Sequence, residues 1–261
     1  MKKMFVNGQT NYEEYRGLIK ENKKYAARRA IVDAMREKKE PLTLADEVAL
    51  VSCVGVSELS GKLEGLYAVS TSVLMNARCQ GRARVHGCIC EDCYAAAGAS
   101  RYDGLALVLE INFEIMNTWR ISESAWSTLV IPSTNGWART ESHGDAGTVC
   151  AAVNHVRIIK AHPWLKFAVW TKNKDLYKRA FKEEGGKPAN MIFIISSPFK
   201  NVVADVSDED REIVDHVFTV YTPEYAAEHG IVINCGGRHC VTCMTCYDLN
   251  SDVFYINELL K

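Results

Sequence analysis

The sequence predicts an α/β fold: an incomplete TIM-barrel-like (β/α) domain with parallel strands, preceded by an N-terminal helical region. Three observations carry this. Short apolar runs alternate with amphipathic segments from about residue 66 onward. The runs lack the polar alternation of a half-exposed sheet, so both faces are expected to be buried, as in parallel sheets. Each run ends in small or polar residues, and in parallel α/β folds the strand C-termini form the functional rim.

Residues 11–60 read as helical. Tyr15, Leu18 and Ile19, then Ala26, Ala27, Ala30 and Ile31, recur at roughly helical spacing among Lys, Arg and Glu. Pro41 ends this run, and Thr43 can cap a second helix carrying Leu44, Val48 and Leu50. The basic run from Lys20 to Arg29 reads as a solvated helix face, with a nucleic-acid contact as the sharper alternative. Leu66, Tyr67, Ala68 and Val69 form the first strand, ending in Ser70, Thr71 and Ser72. A strong helix follows over 104–119. The next strand is either Leu129, Val130 and Ile131 or Trp137, Ala138 and Arg139, and Glu141, Ser142, His143, Gly144 and Asp145 come after it. A helix over 148–159 leads to the strand Phe167, Ala168, Val169 and Trp170, which ends in Thr171, Lys172 and Asn173. A helix over 174–181 precedes a nearly all-apolar strand over 191–195. The runs 217–220 and 231–233 complete the set. The division is a helical region over 1–60 and a barrel-like domain over 61–261, with both cysteine-rich loops on the strand C-terminal edge.

Bulk properties narrow the function. The chain has 261 residues, 48% of them hydrophobic, enough for one main domain with a sizeable core. A net charge of −1 argues against a protein whose main work is gripping nucleic acid, although a local basic patch stays open. No apolar stretch of about 18 residues exists, so no membrane span is expected. Lys2 and Lys3 are not followed by an apolar run, so a cytoplasmic location with reduced thiols is expected. Ten cysteines in such a compartment point to metal or redox chemistry rather than disulfides.

Seven of the ten fall into two groups. The C-terminal group is Cys235, Cys240, Cys243 and Cys246. Its two successive two-residue gaps let a short loop wrap a polynuclear core, and the same spacing holds iron–sulfur clusters in bacterial ferredoxins. Gly236 and Gly237 give the backbone room to turn. Structural zinc is the alternative metal, though zinc sites more often draw two separated ligand pairs. The first group is Cys79, Cys90 and Cys93. Three thiolates would leave one iron of a cubane 4Fe–4S cluster open. Cys88 sits too near Cys90 to share one metal easily, and reads as a further ligand or a buried small residue. Cys53 and Cys150 are isolated and read as structural.

Glu141 and Asp145 are candidate catalytic carboxylates, as a proton-transfer or cofactor-ammonium pair. A salt-bridged turn with Asp145 capping the next helix is the alternative. Lys172 is a candidate contact for a carboxylate or phosphate. His239 lies inside the cysteine loop, and His155, His162 and His216 lack ligand spacing. No phosphate-loop, zinc-protease or serine-hydrolase motif is present.

Together these motifs resemble a phage and mobile-element family labelled gene product eighty-eight. The resemblance rests on Ser70, Thr71, Ser72, Asn76 and Cys79, on the segment from Ile89 to Ala95, on Arg139 to Asp145, on Trp170 to Asn173 and on the final cysteine group. It covers roughly residues 66–250 and implies a phage protein without implying a reaction. The chain is also distantly similar to radical S-adenosylmethionine enzymes. Those place a three-cysteine loop after the first barrel strand and a Gly-rich acidic segment after the second. That similarity implies an S-adenosylmethionine site using Ser142, Gly144 and Lys172, with Glu141 and Asp145 helping to place the cofactor. It departs in the ten residues between Cys79 and Cys90 and in Tyr94 following the last cysteine. The expectation is an iron–sulfur protein with one or two 4Fe–4S clusters, in the radical-enzyme account using S-adenosylmethionine on an unknown substrate. The alternative is a non-catalytic protein stapled by zinc or iron–sulfur, with a nucleic-acid or phage-related binding role.

Overall fold

The computed structural model describes residues 5–6, 9–10, 23–248 and 250–260. Tyr15, Leu18 and Ile19 of the expected first helix lie outside the described residues. A hairpin of β1 (Phe5–Val6) and β2 (Gln9–Thr10) precedes the helices α1 (Lys23–Glu37) and α2 (Leu44–Cys53). Thr43 caps α2 through a capping box with Asp46, satisfying backbone N–H groups at both ends of the exchange.

The core is a seven-stranded sheet with strands in chain order: β3 (Val56–Glu58), β4 (Tyr67–Val69), β5 (Trp137–Thr140), β6 (Lys166–Thr171), β7 (Met191–Ser196), β8 (His216–Tyr221) and β9 (Tyr255–Leu259). Only the β3–β4 pair is antiparallel. Three helices lie between β4 and β5: α3 (Ala77–Ala83), α4 (Tyr94–Arg101) and α5 (Asp103–Thr118). A short turn, α6 (Glu123–Trp126), follows them. Then α7 (Val149–Ala161) joins β5 to β6, and α8 (Lys174–Glu184) joins β6 to β7. Parallel strands in chain order with right-handed crossovers place their helices on one face. The packing agrees. Val69, Phe167, Val169, Met191, Phe193 and Val217 share one core with the buried residues of α5, α7 and α8. The alternate positions Ala68, Ala168, Ile192 and Ile194 face the other way and form a second core. That second face is covered by the C-terminal cysteine segment, through Cys240, Val241, Met244, Cys246 and Tyr247.

The sheet is not closed: among the described residues no ladder joins β9 to β3. Its two ends nevertheless approach, because Lys62, between β3 and β4, pairs with Glu258 on β9.

Three expectations change. Residues 56–58 are a strand rather than helix, so the sheet begins within the region read as N-terminal; Asn112 of α5 clamps the adjacent Gly55 through both its N–H and its carbonyl. Residues 129–131 form no strand, and Trp137–Thr140 is the second parallel strand. Residues 231–233 form no strand either: the Ile231 N–H closes back on Ala226 O and Val232 is 76% exposed. The last strand is Tyr255–Leu259, seated on β8.

Candidate metal centres at the strand rim and on the inner face

The rim is built around Glu141. It follows β5 with φ +59°, a left-handed conformation costing about 1–3 kcal/mol at a non-glycine residue. Its contacts offset that cost. Thr71 donates to the carboxylate through its backbone N–H (2.9 Å) and its hydroxyl (2.7 Å), and His155 Nε2 lies 3.3 Å away. His155 is held in turn by the Tyr177 hydroxyl at 2.7 Å. Gly144 is required here, because a Cβ would fall 2.4 Å from Glu141 Oε2 and 2.6 Å from Thr71 O. Ser142 exchanges hydrogen bonds with Ser70 and meets His143 Nδ1 at 3.0 Å. Burial, helped by the Arg139 charge, pushes the His143 imidazole below its ordinary pKa.

Asp145 ties β5 to β6. Thr171 donates its hydroxyl to Oδ1 (2.6 Å) and Lys172 its N–H to Oδ2 (2.8 Å), while Arg82 stands 3.8 Å away. Burial raises this carboxyl despite those partners. Asp145 does not cap α7; Thr148 does, accepting from the Ala151 N–H. Both predicted carboxylates are therefore buried and bonded to protein groups.

Cys79 lies on α3, and Cys93 caps α4 without a side-chain cap bond. Cys88 is buried and bridges to Phe199, while the Ile89 N–H donates to Pro198 O, so the loop docks beside the end of β7. Cys79, Cys90 and Cys93 stand within electrostatic reach of one another, with Asp145 and Lys172 adjacent. Burial raises the Cys79 thiol well above its ordinary pKa and pushes Cys90 up to about 11. The Lys172 ammonium has no hydrogen-bonded or ion-paired partner among the described residues. It faces a cleft of about 300 Å³ that Arg78, Arg82, Ser196 and Pro198 also line.

The second group forms on the inner face. Cys235 pairs with Glu258 at the sheet edge, and Cys240 and Cys243 begin and end a single helical turn, α9 (Cys240–Cys243). Met244 then turns the chain with φ +56°, bringing Cys246 back toward the others. All four sulfurs lie within mutual electrostatic reach, with Lys62 beside Cys235 and Cys240 and with Arg139 beside Cys240 and Cys246. Burial raises the Cys246 thiol to about 12. The expectation that both loops occupy the strand C-terminal edge holds for the first only, since the second lies across the sheet.

The fold thus gathers Cys79, Cys90 and Cys93 with Lys172 and Asp145, and gathers Cys235, Cys240, Cys243 and Cys246 separately. Glu141, Ser142 and Gly144 form the scaffold between them. His239 immediately precedes α9. All ten cysteines are free thiols. Among the described residues, no three His, Cys, Asp or Glu side chains are arranged to hold a single metal ion. A buried donor at the second group nevertheless fits an anionic occupant: Arg139 Nε has no hydrogen-bond partner there. Sequence reasoning missed Arg82, Lys62 and Tyr247. Arg139 carried a legible signal, a charge in the middle of a buried strand. A larger apolar cavity of about 650 Å³, lined by Tyr25, Val51, Val108 and Ile111, lies beside α1, α2 and α5, apart from these groups. No described helix is long and apolar enough to cross a membrane.

A family model described as Gene product 88 matches residues 35–253. No match was found among curated proteins or among solved structures.

Proposed function

The chain belongs to the Gene product 88 family, and from its site geometry we propose that it is an iron–sulfur protein with two separate centres. Cys79, Cys90 and Cys93 would hold one at the strand rim; Cys235, Cys240, Cys243 and Cys246 would hold the other on the inner face. The observation that carries the reading is the gathering of seven free thiols into two groups, each beside a cation, Lys172 together with Asp145 in the first and Arg139, whose Nε is buried without a hydrogen-bond partner, in the second. Thiolate-bound clusters are net negative, so such cations complement them. The open barrel-like curl of the sheet, drawn together by Lys62 and Glu258, would enclose the second centre.

The finer form of the proposal is a radical-type enzyme that uses S-adenosylmethionine. Cys79, Cys90 and Cys93 would hold a cluster on three thiolates, and that cluster would supply one-electron chemistry to a bound cofactor. In this account Lys172 and Arg78 attract the anionic end of a ligand entering the cleft. Glu141, Ser142, Gly144 and Asp145 are positioning residues that fix the rim on which Lys172 stands.

The test is iron, sulfide and zinc per chain, with the visible spectrum, on protein purified without oxygen. About eight irons supports two cubane centres. Cys90→Ala and Cys243→Ala should each remove about half the iron, whereas loss of all iron in either would mean one shared cluster. Zinc without iron sinks the proposal and leaves a zinc-stapled binding protein. S-adenosylmethionine should change the spectrum of wild type and of Cys243→Ala but not of Cys90→Ala; no change in any of them removes the radical-enzyme form.

A further inference from the structure

The inner face of the sheet carries an electrostatic imbalance. Arg139 projects from the middle of β5 onto that face and is 8% exposed. Its guanidinium lies 3.9 Å from the Trp170 ring centroid, a contact that supports a cation from one side without neutralising it. No carboxylate pairs with it among the described residues. The Tyr247 hydroxyl lies beside the guanidinium, and Tyr247 is itself packed between Trp137 and Trp170, each at 5.6 Å. Yet Arg139 Nε is buried without a hydrogen-bond partner, and the Tyr247 hydroxyl, whose nearest polar neighbour is a guanidinium that can only donate to it, has no acceptor for its own O–H.

A buried charge without a counter-charge and a buried donor without an acceptor are each costly. Here two such donors converge on one place, and that place is the four-cysteine group. Cys240 and Cys246 are the sulfurs nearest in charge to Arg139, and both pack against the core that holds Tyr247. Other charges nearby do not resolve the imbalance: Lys62 adds a second cation, and Glu258 is already paired with it.

We infer that Arg139 and Tyr247 are the counter-cation and hydrogen-bond donor of an anionic, sulfur-rich metal group held by Cys235, Cys240, Cys243 and Cys246. This rests on the metal-binding reading of those cysteines. Four thiolates around a divalent ion, or around a cluster core of the same charge, leave a net negative group whose sulfurs accept hydrogen bonds. Arg139 and Tyr247 then stand to this group as outer partners that orient it and set its stability and potential. The arrangement makes the sign of Arg139's effect depend on occupancy. Filled, the site gains from the cation. Stripped, the same cation is an uncompensated buried charge.

The experiment uses the full chain as wild type, Arg139→Met and Tyr247→Phe, each as purified without oxygen and after stripping with a chelator. Metal retention against a competing chelator should fall about 10–100-fold in Arg139→Met and less in Tyr247→Phe. The melting temperature of the stripped protein should instead rise in Arg139→Met. If the metal is iron–sulfur, reduction of the second centre should become at least tenfold less favourable in Arg139→Met, a potential lower by about 59 mV or more. Unchanged retention in both variants, or a stripped Arg139→Met that melts below wild type, overturns the inference. Should stripped protein fail to fold, retention in Tyr247→Phe decides, because that variant removes one donor and leaves the ring packing. Wild type containing neither iron nor zinc would defeat the metal-binding reading itself. Metal present but insensitive to Arg139 and Tyr247 would defeat only this inference.

Discussion

Replacing Gly144 by Ala tests whether the rim is as tightly built as its hydrogen bonds imply. The new methyl would stand 2.4 Å from Glu141 Oε2, 2.6 Å from Thr71 O and 2.9 Å from Thr71 Oγ1. The first two distances are roughly 1 Å inside ordinary contact. Neither atom can retreat freely. Glu141 Oε2 receives the Thr71 N–H, and Thr71 O belongs to the backbone just past β4. Overpacking a rigid site costs about 1–3 kcal/mol. Displacing Glu141 would add about 1.5–3 kcal/mol for its charge-assisted bonds. A combined loss of about 2.5–6 kcal/mol lowers the melting temperature of a chain this size by roughly 5–24 °C. Gly236→Ala is the control, since a methyl there meets nothing within 4 Å. The assay is thermal unfolding of both variants beside wild type, followed by circular dichroism. A Gly144→Ala melt indistinguishable from that of Gly236→Ala would refute the close approach of Gly144, Glu141 and Thr71.

Asp210 offers a pH test. Burial alone would raise its carboxyl, but hydrogen bonds from Lys174 (2.7 Å), Lys178 (2.9 Å) and Ser207 outweigh that and hold it well below the ordinary carboxylate range. A depressed folded-state pKa stabilises the fold above the unfolded value of about 3.9 and loses that contribution as pH falls through the folded value. Asp210→Asn should therefore cost about 1–3 kcal/mol at neutral pH, with the gap narrowing below about pH 4; equal differences in urea midpoint at pH 7 and pH 3 would contradict this. Asn112→Ala should cost about 2–5 kcal/mol, because it strips buried partners from the Gly55 N–H, the Gly55 carbonyl and the Ser70 carbonyl; a denaturant midpoint equal to wild type would show that water replaces them. Cys53→Ala and Cys150→Ala should leave metal content unchanged while Cys243→Ala reduces it, and metal analysis of the three variants checks the division between structural and ligating thiols.

Local patterns were readable where a single element decides them. The apolar run over 191–195 is buried on both faces because it is a central parallel strand flanked by β6 and β8. Thr43 announces the start of α2 because a hydroxyl before a helical run finds its backbone donors within three residues, whereas α7 is capped by Thr148 and not by Asp145. The run at 231–233 misled because its residues suit a strand, but β8 already takes its neighbour from 255–259. Edge pairing is a competition between segments that composition alone does not rank.

By itself, the sequence determined an α/β chain with parallel strands and grouped its cysteines into a trio and a quartet, since both follow from spacing along a few consecutive residues. Only the tertiary structure decided that Glu141 spends its carboxylate on Thr71, that Asp145 spends its own on Thr171 and Lys172, and that the quartet lies on the inner face of the sheet beside Arg139. Arg139 and Cys240 are a hundred residues apart in the chain. Their meeting depends on the segment between β8 and β9 folding back over the inner face of the sheet, where Cys240 and Cys246 pack. A residue's chemistry can be read from its type and near neighbours. Whether its charge is already spent depends on partners that only the folded chain supplies.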